Sequence, residues 1–313
     1  MAIFLPSPDK PLKIGTRGSP LALAQAYEAR ERLMVAHDLP EAAFEVVVIK
    51  TTGDKVTDQP LGEIGGKGLF TKEIEEALLA GDVDVAVHSM KDMPTVLPEG
   101  LTIPCLLPRE DVRDAFVSLS HDSLAAMPAG AVVGTSSLRR RAQLMHRRPD
   151  LKVVEFRGNV QTRLRKLDDG IAEATFLAVA GLRRLGRPEL IRATIEPEEM
   201  LPAVAQGAIG VEVRDRDANT RALLAPIHHD ATAGQLAAER AFLAALDGSC
   251  RTPIGGLAEI DGGRLRFRGE IIRPDGSERL ATERTGLLAD GAAMGADAAA
   301  ELRAEAGPGF FGA

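Results

Sequence analysis

The sequence contains no tryptophan and only one tyrosine in 313 residues, and its aromatic share is 4%. Base-stacking platforms need aromatic rings interleaved with positive charge, so a role built on single-stranded nucleic acid is poorly provided for. Cysteine is almost as scarce. Cys105 and Cys250 alone make no disulfide framework, and a reducing cytoplasm is the expected location. Positive charge is also in deficit: 38 Lys and Arg face 45 Asp and Glu, a net charge of −7. That balance argues against general affinity for nucleic acid or acidic membranes. No apolar run approaches the roughly 18 residues of a membrane span. The opening MAIFLPSPDKPLK has neither a basic start nor a long apolar core, so no export signal is expected. No His, Cys and Asp set has metal-ligand spacing, and no metal is implied. What the chain does have is 45% hydrophobic residues, enough aliphatic material for the cores of two or three domains.

The order of elements is that of parallel α/β units. Lys13–Thr16 reads as a strand, and Ser19 followed by Pro20 reads as a helix cap with proline in the first turn. Phe44–Ile49 is the next strand. Thr51–Lys72 then carries five glycines and reads either as a lid or as a surface connection. Thr71 is placed to cap the helix KEIEEALLA, which Gly81 ends. Pro98 to Pro108 reads as a connection into a second domain with the same alternation: Ala115–Ser118, Ala131–Gly134, Val153–Phe156 and Thr175–Val179, with helices after Ser137 and Asn159. Ala208–Val213 is one more buried strand. Beyond about Asp230, three strands (Gly256–Ile260, Leu265–Ile272, Leu280–Thr285) with turns at Asp261-Gly-Gly and Pro274-Asp-Gly read as an antiparallel sheet covered by helices.

Two stretches carry most of the chemistry. Asp82–Pro94, DVDVAVHSMKDMP, is a short buried strand that ends in His88, Ser89, Lys91 and Asp92 on a turn stiffened by Pro94. In open α/β sheets ligands bind at that end of the strands. A carboxylate there can face a developing positive charge; from this stretch alone, a helix-capping Asp92 and a solvated Lys91 serve equally well. The second stretch, residues 139–166, holds Arg139, Arg140, Arg141, Arg147, Arg148, Arg157, Arg163 and Arg165 against only Asp150 and Glu155. Arg139 and Arg140 in GTSSLRR, and Arg157 in FRGNV with Arg163 beyond it, fall at successive strand-to-helix turns. Guanidinium groups converging on one cleft suit a polycarboxylate through bidentate pairing. Arg184 is a weaker addition, and Arg147 and Arg148 read as solvated surface. Arg17 sits at another strand-to-helix turn, suited to an anion.

Leu246-Asp-Gly-Ser-Cys-Arg-Thr-Pro-Ile-Gly-Gly is a glycine-flanked loop whose Cys250 is accessible beside Arg251, which favours thiolate; a packed thiol is the competing reading. Cys105, in IPCLLP, reads as core. Four motifs thus stand in order: RGSPLAL, HSMKDMP, GTSSLRR with RGNVQTRLRKL, and GSCRTPIGG. This set resembles the hydroxymethylbilane synthase family, also called porphobilinogen deaminases, from about Lys13 to the C-terminal helix. Ser249 stands where many members have glycine.

The resemblance implies two periplasmic-binding-protein-like α/β domains plus a smaller C-terminal α+β domain with a three-stranded antiparallel sheet. The implied division is 1–107 with 208–227, then 108–207, then 228–313. It implies an enzyme, a transferase that joins four porphobilinogen molecules head to tail with loss of ammonia and releases hydroxymethylbilane. It also implies a dipyrromethane cofactor held by a thioether to Cys250. The residues it assigns are Asp92 for catalysis, Lys91, Ser137, Arg139, Arg140, Arg157 and Arg163 around the cofactor, Arg17, Ser19 and Arg184 for substrate, and Lys67 and Phe70 in a covering loop. A cytoplasmic monomer with neither nucleic-acid nor membrane partners is the family expectation. A non-catalytic anion binder or effector-sensing module is the rival, and Cys250 is the feature it has no use for.

Overall fold

The structure, a computed structural model, describes residues 3–55, 71–248 and 252–311. Thirteen strands are seen among them: β1 Leu12–Arg17, β2 Phe44–Ile49, β3 Val85–Ser89, β4 Leu101–Leu106, β5 Asp114–Ser118, β6 Val132–Gly134, β7 Lys152–Val154, β8 Ala174–Ala178, β9 Ala193–Ile195, β10 Ile209–Arg214, β11 Ile254–Asp261, β12 Arg264–Ile272 and β13 Arg279–Gly286. They form two five-stranded sheets and one three-stranded antiparallel sheet. The chain divides into two compact units: residues up to 55 with 71–110 and 208–233, and residues 111–207 with 234–311.

The first unit holds the sheet β2-β1-β3-β10-β4, in which only β10 runs against its neighbours. β3 is buried along nearly its whole length, as its apolar run requires. Helix Pro20–His37 presses Ala26, Ala29 and Leu33 onto one face with Ile14, Val87 and Ile209. Helix Lys72–Ala80 covers the other face through Ile74 and Leu78. Gly81 ends that helix with φ 84°, the left-handed conformation that glycine adopts without strain. Thr71 does not cap it through its side chain; its carbonyl accepts from the N–H groups of Ile74 and Glu75 at 2.9 and 2.8 Å. β4 lies where the sequence suggested a proline-punctuated connection. Pro104 fits there because β4 is an edge strand and its pairing with β10 shifts register between Val211 and Val213, so the missing N–H costs no ladder bond.

The second unit repeats this arrangement without repeating the sequence. Its sheet is β7-β6-β8-β5-β9, again with one strand, β5, reversed next to the last position. Phe116, Leu144 and Phe176 pack on one face; Phe156, Leu177 and Leu182 pack on the other. In each sheet the reversed strand is the one that follows a crossing between units, β5 after residue 110 and β10 after residue 207. The same unit carries β11-β12-β13. Its core centres on Phe242 and Phe267, ring centroids 5.1 Å apart and edge to face. Helix Gly291–Ala306 closes over it, and a Cβ at Gly295 would sit 2.0 Å from the Ala238 carbonyl, so glycine sets its spacing from helix Asp230–Ala245. Phe310 in the tail is buried under the Arg273 guanidinium at 4.8 Å. Among the described residues no helix is long and apolar enough to cross a membrane.

Candidate active site

Within the first unit, a pocket opens at the carboxyl ends of β1 and β3. Arg17 is the last residue of β1, and Ser19 starts helix Pro20–His37, its Oγ accepting from the Ala22 N–H at 3.3 Å. β3 ends at Ser89 and passes into a single tight turn, Met90–Asp92. The turn is held from below: Met90 and Met93 are buried, the Met90 N–H donates to the Ala208 carbonyl at 3.0 Å, and Met93 is extended before Pro94. Gln25 Nε2 donates to Ser89 Oγ at 2.8 Å and fixes the turn's entry. These anchors leave Asp92 exposed, and its carboxylate has no hydrogen-bond or ion-pair partner among the described residues. Asp92 therefore caps no helix. Arg17, Ser19, His88, Ser89 and Asp92 share the pocket wall. Lys91 is half-buried on the same turn outside that wall. His88 and Gln25 went unassigned in the sequence because their partners lie 124 and 64 residues away.

In the second unit the arginines do gather at strand-to-helix turns. Ser137 caps helix Leu138–Arg147 by accepting from the Arg140 N–H at 3.4 Å, and Ser136 Oγ accepts from the Phe156 N–H at 3.0 Å, tying two turns together. Arg139 and Arg140 are buried and point back at Asp114, which has no exposed surface. Arg139 Nη2 donates to Asp114 Oδ2 at 2.7 Å, and Arg140 Nη2 to Oδ1 at 2.7 Å. Arg139 Nη1 donates to the Leu201 carbonyl and Arg140 Nη1 to the Phe176 carbonyl, both at 2.8 Å. Burial raises the Asp114 carboxyl, but the two guanidinium charges prevail and hold it well below the usual range. Arg163 Nε donates to the Gly158 carbonyl at 3.0 Å; desolvation and then the charge of Arg140 push its guanidinium down to about 10. Arg184 Nη1 donates to the Gly207 carbonyl at 3.1 Å.

Arg148 corrects the sequence reading. It is half-buried, not solvated: its guanidinium pairs with Asp150 at 2.7 Å and donates to the carbonyls of Leu124 and Met127 at 2.8 and 2.9 Å. It clamps a loop, a role that its partners more than twenty positions away hid from the sequence. Cys250, Lys67 and Phe70 lie outside the described residues.

Two family profiles match the chain: "Porphobilinogen deaminase, dipyromethane cofactor binding domain" over residues 12–222 and "Porphobilinogen deaminase, C-terminal domain" over residues 234–304. The chain belongs to the porphobilinogen deaminase family. Among curated members, the porphobilinogen deaminase of Paracoccus denitrificans is 67% identical over 98% of both chains. The chloroplastic porphobilinogen deaminase of Pisum sativum is 57% identical over 96% of this chain and 83% of its own. Among solved structures, the methionine-binding protein MetQ aligns over 71% of this chain and 91% of its own, at 14% identity and a TM-score of 0.42. The family's dipyrromethane is an anionic group, and the second unit has donors to spare for one. Arg139 Nε and Arg157 Nη1 are buried with no hydrogen-bond partner among the described residues, and the charge of Arg140 bears on Arg163. Buried orphan guanidinium donors fit carboxylates.

Proposed function

We propose that this protein condenses four porphobilinogen molecules head to tail, with loss of ammonia, to hydroxymethylbilane. Asp92 is the observation that carries the reading: an exposed carboxylate with no partner among the described residues, on a rigid turn at the strand ends, sharing a pocket wall with Arg17 and Ser19. Loss of ammonia from an aminomethylpyrrole leaves a positive charge shared with the ring nitrogen. A fixed carboxylate beside that nitrogen stabilises the charge as it develops, with no reorganisation at the moment of reaction. Each pyrrole also brings an acetate and a propionate, which Arg17 and Ser19 hold in the first unit.

The dipyrromethane supplies, when bound, a free pyrrole carbon for the first condensation. Cys250 is the residue proposed to hold it through a thioether. Lys91, Ser137, Arg139, Arg140, Arg157 and Arg163 are proposed to bind its carboxylates, Arg184 to bind substrate, and Lys67 and Phe70 to cover the site. Arg157 Nη1 and Arg139 Nε are the donors left open for that purpose. Three domains (1–107 with 208–227, 108–207 and 228–313), a monomeric state and a cytoplasmic location complete the proposal. Incubating the purified protein with porphobilinogen and following ammonia and linear tetrapyrrole together tests it; no turnover overturns it.

A further inference from the structure

His88 in the pocket wall and Glu212 behind it form a buried pair that charge stabilisation by Asp92 leaves unused. His88 Nε2 is 3.0 Å from Glu212 Oε2; His88 is buried, and Glu212 has no exposed surface. Glu212 sits on β10 at the register shift between Val211 and Val213. Such irregularities re-aim side chains and gather beside active sites. Toward an ionised Glu212 the ring donates from Nε2, and the neutral imidazole in that tautomer carries its lone pair on Nδ1. Nδ1 has no partner among the described residues, and the imidazole shares the pocket wall with Asp92. Glu75, on helix Lys72–Ala80, is buried close by: burial pushes its carboxyl up, the Thr71 hydroxyl and the charge of His88 pull against that, and the charge of Glu212 adds to the rise. Glu75 Oε1 and Glu212 Oε1 are both buried with no hydrogen-bond partner among the described residues. Two buried carboxyl groups with unused oxygens oppose folding, and apolar residues of similar size would pack at less cost. A structural role alone does not account for the pair.

We propose that His88, oriented by Glu212, accepts the proton released from the pyrrole ring at each condensation. The inference rests on the porphobilinogen reading of the site. The incoming unit arrives with its amine as ammonium; its methylene C–N bond breaks and ammonia leaves with the electron pair. The free α carbon of an already added pyrrole then attacks the methylene, so that a carbon–carbon bond forms and the positive charge passes from the incoming ring to the attacking ring. The C–H bond at that carbon then breaks, its electron pair restores the aromatic ring, and the proton moves to His88 Nδ1. Ammonia released from the incoming unit takes the proton away as ammonium, which returns the imidazole to its resting form. Asp92 then stabilises charge while His88 holds the proton. The charged groups around the imidazole are Glu212 from β10, which it contacts, and Glu75 from helix Lys72–Ala80; Arg17 from the end of β1 and Asp92 from its own turn line the same pocket.

The test compares the unmodified holoenzyme with His88→Gln and Glu212→Gln, using porphobilinogen carrying deuterium at the free α position. His88→Gln is expected to lose roughly a hundredfold or more in product formation, within the range typical of proton-transferring side chains. Its deuterium isotope effect should rise above that of the unmodified enzyme, and added imidazole should restore part of the rate. Histidine ¹⁵N NMR of the resting protein should show one ring with its proton on Nε2, and Glu212→Gln should disturb that signal. A full-rate His88→Gln enzyme overturns the inference, as does a slow one with an unchanged isotope effect and no imidazole rescue. Where His88→Gln does not fold, the isotope comparison is made on Glu212→Gln: a raised isotope effect supports the inference, and an unchanged one overturns it. Absence of porphobilinogen turnover by the unmodified protein overturns the reading of the site together with this inference. Turnover retained in full by the variants overturns this inference alone.

Discussion

Asp114 and Arg140 form a buried two-point pair: Asp114 Oδ1 accepts from Arg140 Nη2 at 2.7 Å and from Nε at 3.2 Å. Arg139 holds the other carboxylate oxygen, and Gln206 Nε2 donates to Oδ1 at 3.0 Å. One aspartate with no exposed surface thus fixes two of the arginines assigned to the cofactor. Asp114→Asn would leave both guanidinium charges buried and uncompensated. It should destabilise the protein by about 3–5 kcal/mol, the range for breaking a buried ion pair. Urea unfolding of the two proteins reads this directly, and a loss below about 1 kcal/mol would contradict it.

The same group sets an acid limit. Asp114 is held well below its ordinary value in the folded protein, because the arginine charges outweigh the effect of burial. A carboxyl depressed on folding contributes stability above its unfolded value, about 3.9, and that contribution is lost as pH falls toward the folded value. Stability should therefore decline steadily below about pH 4. In Asp114→Asn this part of the decline should be absent, leaving a flatter curve. Unfolding midpoints measured from pH 5 downward check the sign.

Arg157→Leu and Arg163→Leu should each weaken cofactor loading or elongation by roughly ten- to a hundredfold, as expected for one charge-assisted hydrogen bond of about 1.5–3 kcal/mol. Arg141→Leu is the matched control, since Arg141 is exposed and pairs with nothing among the described residues. Arg148→Leu serves differently. It should lower thermal stability with little effect on loading, because Arg148 clamps the carbonyls of Leu124 and Met127. Bound pyrrole and initial rate, measured at equal folding, separate the four variants.

Asp92→Asn keeps the shape of the side chain and removes its charge. It should slow the chemical step by roughly a hundred- to ten-thousandfold while leaving the fold intact, since Asp92 is exposed and bonded to nothing among the described residues. Asp92→Glu keeps the charge but displaces it and should retain more activity. Single-turnover release of ammonia from cofactor-loaded protein measures the step; an unchanged rate in Asp92→Asn would make Asp92 an ordinary turn residue.

Local signals in the sequence survived folding well. Ser19 before Pro20, Gly81 after its helix, Ser137, Asn159 and the apolar run into Ser89 each act through neighbours within a few residues, so their roles were legible. β4 was not, because Pro104 is tolerated only on an edge, and edge position is a property of the whole sheet. β9, three residues long, carries too little pattern to read. The clustering of the arginines was plain in the sequence, but their partners were not. Asp114 lies 25 and 26 positions from Arg139 and Arg140, and it alone separates buried paired guanidinium groups from the open donor of Arg157. The contact between His88 and Glu212 spans 124 positions and was invisible for the same reason.

Cys250 is proposed to anchor a dipyrromethane whose carboxylates the arginine side chains bind. Intact-mass spectrometry of the purified protein, followed by peptide mapping, tests it most directly. The chain should be heavier than its sequence by two linked pyrrole units, with the adduct on the peptide containing Cys250. Cys250→Ser should lack the adduct and be inactive, since an alcohol is a much weaker nucleophile near neutral pH. An active protein whose mass equals that of its sequence, or an adduct mapped to a different peptide, would contradict the account.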